Sequence, residues 1–309
     1  MSVTYKDFTF LSDSDGLEIY CTAIIPDKNI LGVVQIVHGM CEHRKRYYPF
    51  MEFLAQKGYL TVIHDNRGHG QSIENMNYLG HFHEGGYEAL VDDIRQMNYL
   101  IKEKINGVPY ILLGHSMGSL AVRCFMKKYD GCVDKIILCG SPSAYTITPL
   151  GLMLTNIIAK IKGENKHSKF LDYIVVNSNF ESKLEGPVHS WICSDAEVVD
   201  IYNKDPLCNF TFTINGYKEL LKLMMECYSK KYWYMNNKNV PILFLSGKED
   251  PCHISPRNFG KSVHFLKNRG YENVTARLYG GMRHEILNEK NKKRVYMDIY
   301  NFVENGKII

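Results

Sequence analysis

A turn of glycine, serine and glycine constrains the fold of this chain more than any other feature. Residues 114–118, with the sequence GHSMG, follow an apolar run at residues 109–113 that is typical of a buried strand. After the turn, apolar residues recur at helical spacing from Leu120 to Tyr129. This context indicates a nucleophile elbow, because bulky neighbours do not fit so tight a turn and the serine hydroxyl is left above the sheet edge. We therefore expect Ser116 to be a catalytic nucleophile.

Short apolar runs alternate with amphipathic segments over most of the chain. Near the N-terminus, two segments of alternating polarity flank a turn-rich stretch at residues 12–16 and predict an antiparallel hairpin. Further runs predict strands at residues 32–38, 59–63, 109–113, 135–139, 240–245 and 274–279, of which those at 59–63 and 109–113 are predicted to be buried. Buried strands separated by amphipathic helices indicate an α/β fold, with a mostly parallel central sheet and helices on both faces.

The alternation stops between residues 141 and 239. Apolar residues there recur at helical spacing, for example at residues 150–158 and 217–225, and strand-like runs are few. A helical insertion between two strands of one sheet predicts a cap over the carboxyl ends of the strands, where open α/β sheets bind ligands. We expect a core formed by residues 1–140 and 240–309, and a helical cap at residues 141–239 inserted after the sixth strand.

The composition argues against several classes of function. The net charge is +4, and no basic stripe interleaves with aromatic residues, so we expect no nucleic-acid partner. The N-terminus has no signal-peptide pattern, and no apolar run approaches the roughly 18 residues of a membrane span. The nine cysteines include no Cys-x-x-Cys pair, so we expect reduced thiols in a cytoplasmic protein without a metal site. We expect no cofactor either.

A serine nucleophile needs a base to accept its proton and a carboxylate to orient that base. In folds with this elbow the chain order is serine, acid, histidine, and the acid and histidine follow late strands. The run at residues 242–245 leads into a loop containing Glu249 and Asp250, and the run at residues 274–279 leads into His284. We assign Asp250 as the orienting acid, with Glu249 as the alternative, and His284 as the general base.

Hydrolysis of an acyl group also needs donors for the developing oxyanion. One donor is expected to be the backbone N–H of the residue after the nucleophile, which is Met117. The other is expected from the loop after the third strand, where we choose the N–H of Met40. Because backbone groups would do this, both methionine side chains are available to line an acyl pocket or to pack in the core.

Four segments of the chain resemble the monoacylglycerol lipase and lysophospholipase branch of the α/β-hydrolases, which is often grouped with serine aminopeptidases. These segments are residues 38–43 (HGMCEH, with Arg46 and Tyr47 just after), 65–72 (DNRGHGQS), 114–118 (GHSMG) and 199–207 (VDIYNKDPL). They occur in the family's order, and the likeness spans most of residues 10–305. The resemblance implies the α/β-hydrolase fold, with Asp65, Arg67 and His69 fixing a loop beside the active site.

The resemblance also implies a serine esterase that acts on lipids with one acyl chain, such as a monoacylglycerol or a lysophospholipid. The apolar helix near residues 150–158 would then place Leu150, Met153 and Leu154 at an acyl tunnel and touch membranes transiently; ordinary cap packing is the alternative. Other open interpretations are a carboxylesterase for bulkier or aromatic esters of the feruloyl type, an aminopeptidase, and a hydrolase-like binding protein without activity. The small-molecule ester or lipid is the expected partner.

Overall fold

The computed structural model describes residues 2–177, 180 and 186–308. Within these residues, eight strands form one sheet with the order β1-β2-β4-β3-β5-β6-β7-β8. The strands are β1 (Val3–Leu11), β2 (Glu18–Pro26), β3 (Gly32–Val37), β4 (Tyr59–His64), β5 (Tyr110–His115), β6 (Lys135–Cys139), β7 (Ile242–Gly247) and β8 (Val274–Tyr279). The predicted N-terminal hairpin and the later strands are confirmed, and β4 and β5 are buried throughout, as expected.

The sheet is mostly parallel, and its register brings distant segments together. β2 pairs antiparallel with β1 and β4, whereas all neighbours from β4 to β8 are parallel. Val37 of β3 lies beside Gly114 of β5, and Gly247 of β7 lies beside Tyr279 of β8. The loops after β3, β5, β7 and β8 therefore leave the same carboxyl edge of the sheet.

Helices cover both faces of the sheet, which explains why inner strands such as β3, β5 and β7 are buried throughout and mostly apolar without alternation. In β5, Leu112 enters the core on one face, while Ile111 and Leu113 enter the core on the other. Outside the segment between β6 and β7, the α-helices are α1 (Tyr48–Gln56), α2 (Gly86–Lys104), α3 (Met117–Tyr129), α8 (Pro256–Arg269) and α9 (Lys292–Asn305). The expected α/β-hydrolase architecture is confirmed.

The segment between β6 and β7 is helical in the part that the structure describes, and we call it the insertion. It contains α4 (Thr148–Lys162), α5 (Lys169–Asp172), a π-helical turn (Tyr173–Asn177), α6 (Ala196–Lys204) and α7 (Ile214–Cys227). α7 packs against α3 of the core and against α4. Residues 178–179 and 181–185 of the expected cap lie outside the described residues. No described helix is both long and apolar enough to cross a bilayer.

Candidate active site

Ser116 occupies a strained turn between β5 and α3. Its backbone has φ 50° and ψ −121°, a conformation that a residue with a side chain rarely adopts. The flanking glycines allow close approach: a Cβ at Gly118 would lie 2.2 Å from the carbonyl oxygen of Val37, and one at Gly114 would lie 2.6 Å from the carbonyl oxygen of Gly118. This is the nucleophile-elbow geometry predicted from the sequence.

The structure brings Asp250 and His284 together, although they are far apart in sequence. Asp250 follows β7 and His284 follows β8, and Nδ1 of His284 lies 3.0 Å from Oδ2 of Asp250. Both side chains are buried. Asp250 also accepts hydrogen bonds from the Ser246 hydroxyl and the Cys252 amide, at 2.8 Å each. Glu249, the alternative acid, is exposed and lies outside this arrangement.

The charge state of Asp250 suits an orienting role. Burial raises its pKa, but the charge and hydrogen bond of His284 and the hydrogen bonds from Cys252 and Ser246 outweigh burial and hold the pKa below its ordinary value. The carboxylate therefore stays ionised and accepts a proton-bearing Nδ1. In a neutral imidazole, this arrangement favours the tautomer with its proton on Nδ1, which leaves Nε2 as the acceptor.

Two cavities meet at Ser116. One, of about 60 Å³, has a mixed lining that combines polar groups, among them Glu42, His115, Asn209 and His284, with apolar side chains such as Ile192 and Phe210. The other, of about 240 Å³, is lined almost entirely by apolar side chains from α3, α4 and α7. The residues shared by both linings are Met40, Ser116, Val176 and Trp191. We call the first the polar chamber and the second the apolar cavity.

The two expected oxyanion donors lie beside this junction. Met117 is the first residue of α3, so its N–H is among the first-turn amides that lack an acceptor within the helix. Met40 follows β3 in the loop next to the elbow: a Cβ at Gly39, its neighbour, would lie 3.0 Å from the Ser116 Cβ. Both amides therefore remain candidates for the oxyanion hole.

Only part of the expected acyl site lies on the apolar cavity. Leu150 and Leu154 line it, along with Leu120, Leu221 and Met224. Met153 does not line it and is 55 % exposed. On α4, Met153 lies off this cavity and about 100° around the helix from Leu154. Its place at an acyl site stays a prediction.

Glu42 forms a buried hub that sequence reasoning did not assign. Its carboxylate accepts hydrogen bonds from the Gly39 amide at 2.5 Å, the Tyr47 hydroxyl at 2.8 Å, and Nδ1 of His115 and Nη1 of Arg46 at 3.0 Å each. Burial raises the pKa of Glu42, but His115 and then Arg46 outweigh burial and hold the pKa far below its usual value. An ionised Glu42 thus links the loop after β3, which we call the oxyanion loop (residues 38–43), to the elbow at Ser116.

Arg46 extends this hub to the loop that carries His284. Its guanidinium makes two hydrogen bonds to the Glu285 carboxylate, at 2.6 and 2.7 Å, and its charged end lies 5.0 Å from the ring centre of Tyr202 in α6. Nε2 of His115 lies 3.4 Å from the carbonyl oxygen of His284. The loops after β3, β5 and β8 are therefore connected through buried, charged hydrogen bonds.

The loop after β4 is fixed by hydrogen bonds, as expected. Asp65 accepts from the amides of Arg44 and Gln71, at 2.8 and 2.9 Å. Arg67 is fully buried and pairs with Asp93 at 2.9 Å. His69 contacts aromatic rings, and burial lowers its pKa to about 4, so it is neutral near pH 7.

Two groups among the described residues bring potential metal ligands within 4.8 Å of one another. One is Asp250, Cys252 and His284, where the carboxylate and imidazole are already hydrogen-bonded to each other. The other is His43, Asp205 and Cys208. The candidate catalytic groups described above are the side chains of Ser116, Asp250 and His284 and the backbone amides of Met40 and Met117.

A family model described as serine aminopeptidase, S33, matches residues 28–291. The chain belongs to this family. The sequence resemblance to this group of hydrolases is thereby confirmed.

Similar proteins of known name agree with this membership. Human monoglyceride lipase is 28 % identical over 291 residues, and the alignment covers 93 % of this chain and 86 % of the human protein. Monoacylglycerol lipase from Mycolicibacterium smegmatis is 26 % identical over 288 residues, with 93 % of each chain covered.

Solved structures show the same fold. A carboxyl esterase from Bacillus coagulans superimposes with a TM-score of 0.87 at 25 % identity and full coverage of both chains. Monoglyceride lipase from Saccharomyces cerevisiae superimposes with a TM-score of 0.74 at 18 % identity, covering 99 % of this chain and 97 % of the yeast chain. At that identity the yeast structure supports the fold alone.

Proposed function

We propose that this family member is a serine hydrolase that cleaves carboxylic esters of lipids with a single acyl chain, as a monoacylglycerol lipase or a lysophospholipase does. The observation that carries the proposal is the position of Ser116 at the junction of a small polar chamber and a larger apolar cavity. An ester with its carbonyl at Ser116 would place an apolar acyl chain on one side and a polar alcohol on the other. Curated relatives named as monoglyceride lipases support the same substrate class.

The proposed reaction has two halves. Ser116 Oγ attacks the ester carbonyl carbon while Nε2 of His284 takes the hydroxyl proton, and the Met40 and Met117 amides stabilise the oxyanion. The C–O bond to the alcohol then breaks, and His284 gives the proton to the departing oxygen. Water, deprotonated by His284, attacks the acyl carbon; the bond from that carbon to Ser116 Oγ breaks, and His284 gives the proton to Oγ, which releases the carboxylic acid and restores Ser116. Asp250 stays ionised throughout and stabilises the imidazolium.

The polar chamber supports a small, uncharged alcohol such as glycerol. Its volume of about 60 Å³ is a quarter of that of the apolar cavity, at about 240 Å³. The carboxylates of Glu42 and Glu285 face it, but both are bonded to Arg46. Because the oxygens of both carboxylates already accept hydrogen bonds from Arg46, and those of Glu42 from three further donors, they are poorly suited to hold the ammonium group that an aminopeptidase substrate carries.

The outer face of α4 supports contact with a lipid surface. Its exposed apolar residues are Ile147 just before the helix and Leu150, Met153, Ile157 and Ile161 within it. Leu150 also lines the apolar cavity, so this face adjoins the mouth of the cavity. We propose that transient contact of this face with a lipid surface delivers the acyl chain directly into the cavity.

A fluorophosphonate probe tests the nucleophile, and an ester panel tests the substrate. We expect the wild-type chain to be labelled and Ser116→Ala to remain unlabelled. Absence of labelling in the wild type, beside a control hydrolase that reacts, would support a catalytically silent binding protein. Among monoacylglycerols, lysophospholipids, p-nitrophenyl esters and feruloyl esters, we expect the highest kcat/KM for monoacylglycerols. A preference for feruloyl esters would instead favour the carboxylesterase alternative.

A further inference from the structure

We propose that His43, Asp205 and Cys208 form a zinc site that joins the oxyanion loop to the insertion. His43 closes the loop that begins after β3, whereas Asp205 and Cys208 follow α6 in the insertion. Their imidazole nitrogen, carboxylate oxygen and thiol sulfur all lie within 4.8 Å of one another. Histidine, carboxylate and cysteine are the ligand types that zinc prefers in proteins.

The distances fit zinc after a small movement. Zinc–ligand distances of about 2.0–2.3 Å place the corners of a tetrahedral site roughly 3.4–3.6 Å apart. Nε2 of His43 and Oδ2 of Asp205 are 2.9 Å apart, and the Cys208 sulfur lies within 4.8 Å of both. To share one ion, the His43 nitrogen and the Asp205 oxygen would separate by about half an ångström, the Cys208 sulfur would approach them by at most about 1.3 Å, and a water molecule would complete the tetrahedron.

The local backbone holds the two insertion ligands in place. Oδ1 of Asp205 accepts the Leu207 amide at 2.8 Å, which leaves Oδ2 facing His43. The Cys208 amide donates to the carbonyl oxygen of Asp205 at 3.0 Å, so residues 205–208 form a turn. Such supporting hydrogen bonds orient ligands and raise metal affinity.

Charge and access also favour a divalent ion. One thiolate, one carboxylate and a neutral imidazole carry two negative charges in total, which zinc neutralises, and the thiol proton goes to solvent on binding. The imidazole would bind through Nε2 and keep its proton on Nδ1. Arg46 lies nearby, but its charge is already compensated by Glu42 and Glu285. The Asp205 side chain is 29 % exposed and offers an entry path from solvent.

Zinc titration of the full-length protein tests this site. After treatment with EDTA and dialysis, the wild type should bind one Zn²⁺ per chain, and Co²⁺ in its place should give a thiolate-to-cobalt absorption band in the near ultraviolet. Cys208→Ser and Asp205→Asn should each weaken zinc binding by at least the 10–100-fold that outer-shell changes cost. Cys252→Ser is the matched control, because Cys252 also lies beside a carboxylate and an imidazole, and it should bind zinc as the wild type does.

A thermal unfolding series gives an independent readout. Zinc should raise the Tm of the wild type and of Cys252→Ser but not the Tm of Cys208→Ser, because a ligand of the folded state stabilises only chains that bind it. Equal Tm values for the metal-free proteins would show that the variants fold. The proposal is overturned if the wild type binds no zinc, if Cys208→Ser binds zinc as tightly, or if Cys252→Ser is the variant that loses it.

Discussion

Replacing Asp250 by asparagine changes one atom and should nearly abolish turnover. Oδ1 of Asp250 accepts the Cys252 amide, and Oδ2 accepts the Ser246 hydroxyl and the His284 imidazole. An asparagine that keeps its carbonyl oxygen on the Cys252 amide turns its NH₂ group toward His284. Nδ1 must then accept a hydrogen bond, so the proton moves to Nε2 and the imidazole can no longer take the proton of Ser116. The opposite amide orientation places two donors against each other at Cys252.

The size of the effect follows from the loss of the correct tautomer. In a well-studied serine protease, the equivalent change lowers kcat by about 10⁴ while the geometry is kept. At about 1.36 kcal/mol for each factor of ten, this corresponds to roughly 5 kcal/mol of lost transition-state stabilisation. The full loss is expected here because Asp250 is buried, so water cannot replace the carboxylate. Glu249→Gln, one residue away and exposed, should keep kcat within about twofold.

Initial rates with a short-chain p-nitrophenyl ester measure both variants, and fluorophosphonate titration of the wild type and Glu249→Gln gives the concentration of reactive Ser116. Thermal unfolding would confirm that Asp250→Asn is folded. The tautomer argument is refuted if folded Asp250→Asn stays within tenfold of the wild-type kcat. A large loss in Glu249→Gln, with Asp250→Asn active, would assign the orienting role to the neighbouring residue.

Three further outcomes are expected. Glu42→Gln should lower kcat about 10–100-fold with KM little changed, because a charge-assisted bond is worth about 1.5–3 kcal/mol; steady-state kinetics with unchanged kcat would contradict this. Leu154→Trp should fill the apolar cavity and shift preference from long to short acyl chains, whereas Met153→Trp should not, as a chain-length series of esters would show. Burial lowers the pKa of His64 and of His69 to about 4, whereas a histidine in the unfolded chain has a pKa near 6.5, so the unfolded chain takes up protons first as the pH falls. These two residues should therefore lower the free energy of unfolding by roughly 2–3 kcal/mol between pH 7 and pH 5.5, as measured by urea unfolding. A free energy of unfolding that does not change over this range would contradict this prediction.

The strands and the elbow could be predicted from the sequence because their signals are local. A run such as residues 109–113 is apolar throughout, since alternate side chains enter two cores on opposite faces of the sheet. The placement of the acid and the histidine followed from chain order, because parallel strands deliver their loops to one edge. The structure places Asp250 beside His284, and it leaves Glu249 exposed; adjacent carboxylates in a loop give no periodic signal that separates them.

The cavity-lining face of α4 could not be predicted in the same way. In an amphipathic helix, the polar face identifies the opposite face as the buried one. Apolar residues occur around much of α4, so its sequence does not show which face is buried. Leu154 faces the apolar cavity, while Met153, Ile157 and Ile161 are exposed. The periodicity therefore predicted a helix over the right residues but could not show that Leu154 faces the cavity and Met153 does not. If the exposed apolar residues on α4 serve contact with lipid, this function explains why α4 lacks the polar face from which its orientation could have been predicted.

The hydrogen bonds around Glu42 could not be predicted from the sequence for a different reason. Its donors come from the loop after β3, the elbow and the short helical turn at Arg44–Tyr47, and Arg46 extends it to the loop after β8. The motif HGMCEH marks Glu42 without saying what it contacts, because those contacts exist only once β3 and β5 are paired. A carboxylate buried at such a junction is destabilising unless every donor is in place. The pairing of β3 with β5 and the placement of the loop after β3 thus depend on each other. Disruption of Glu42 should therefore affect both the catalytic geometry and the stability of the fold.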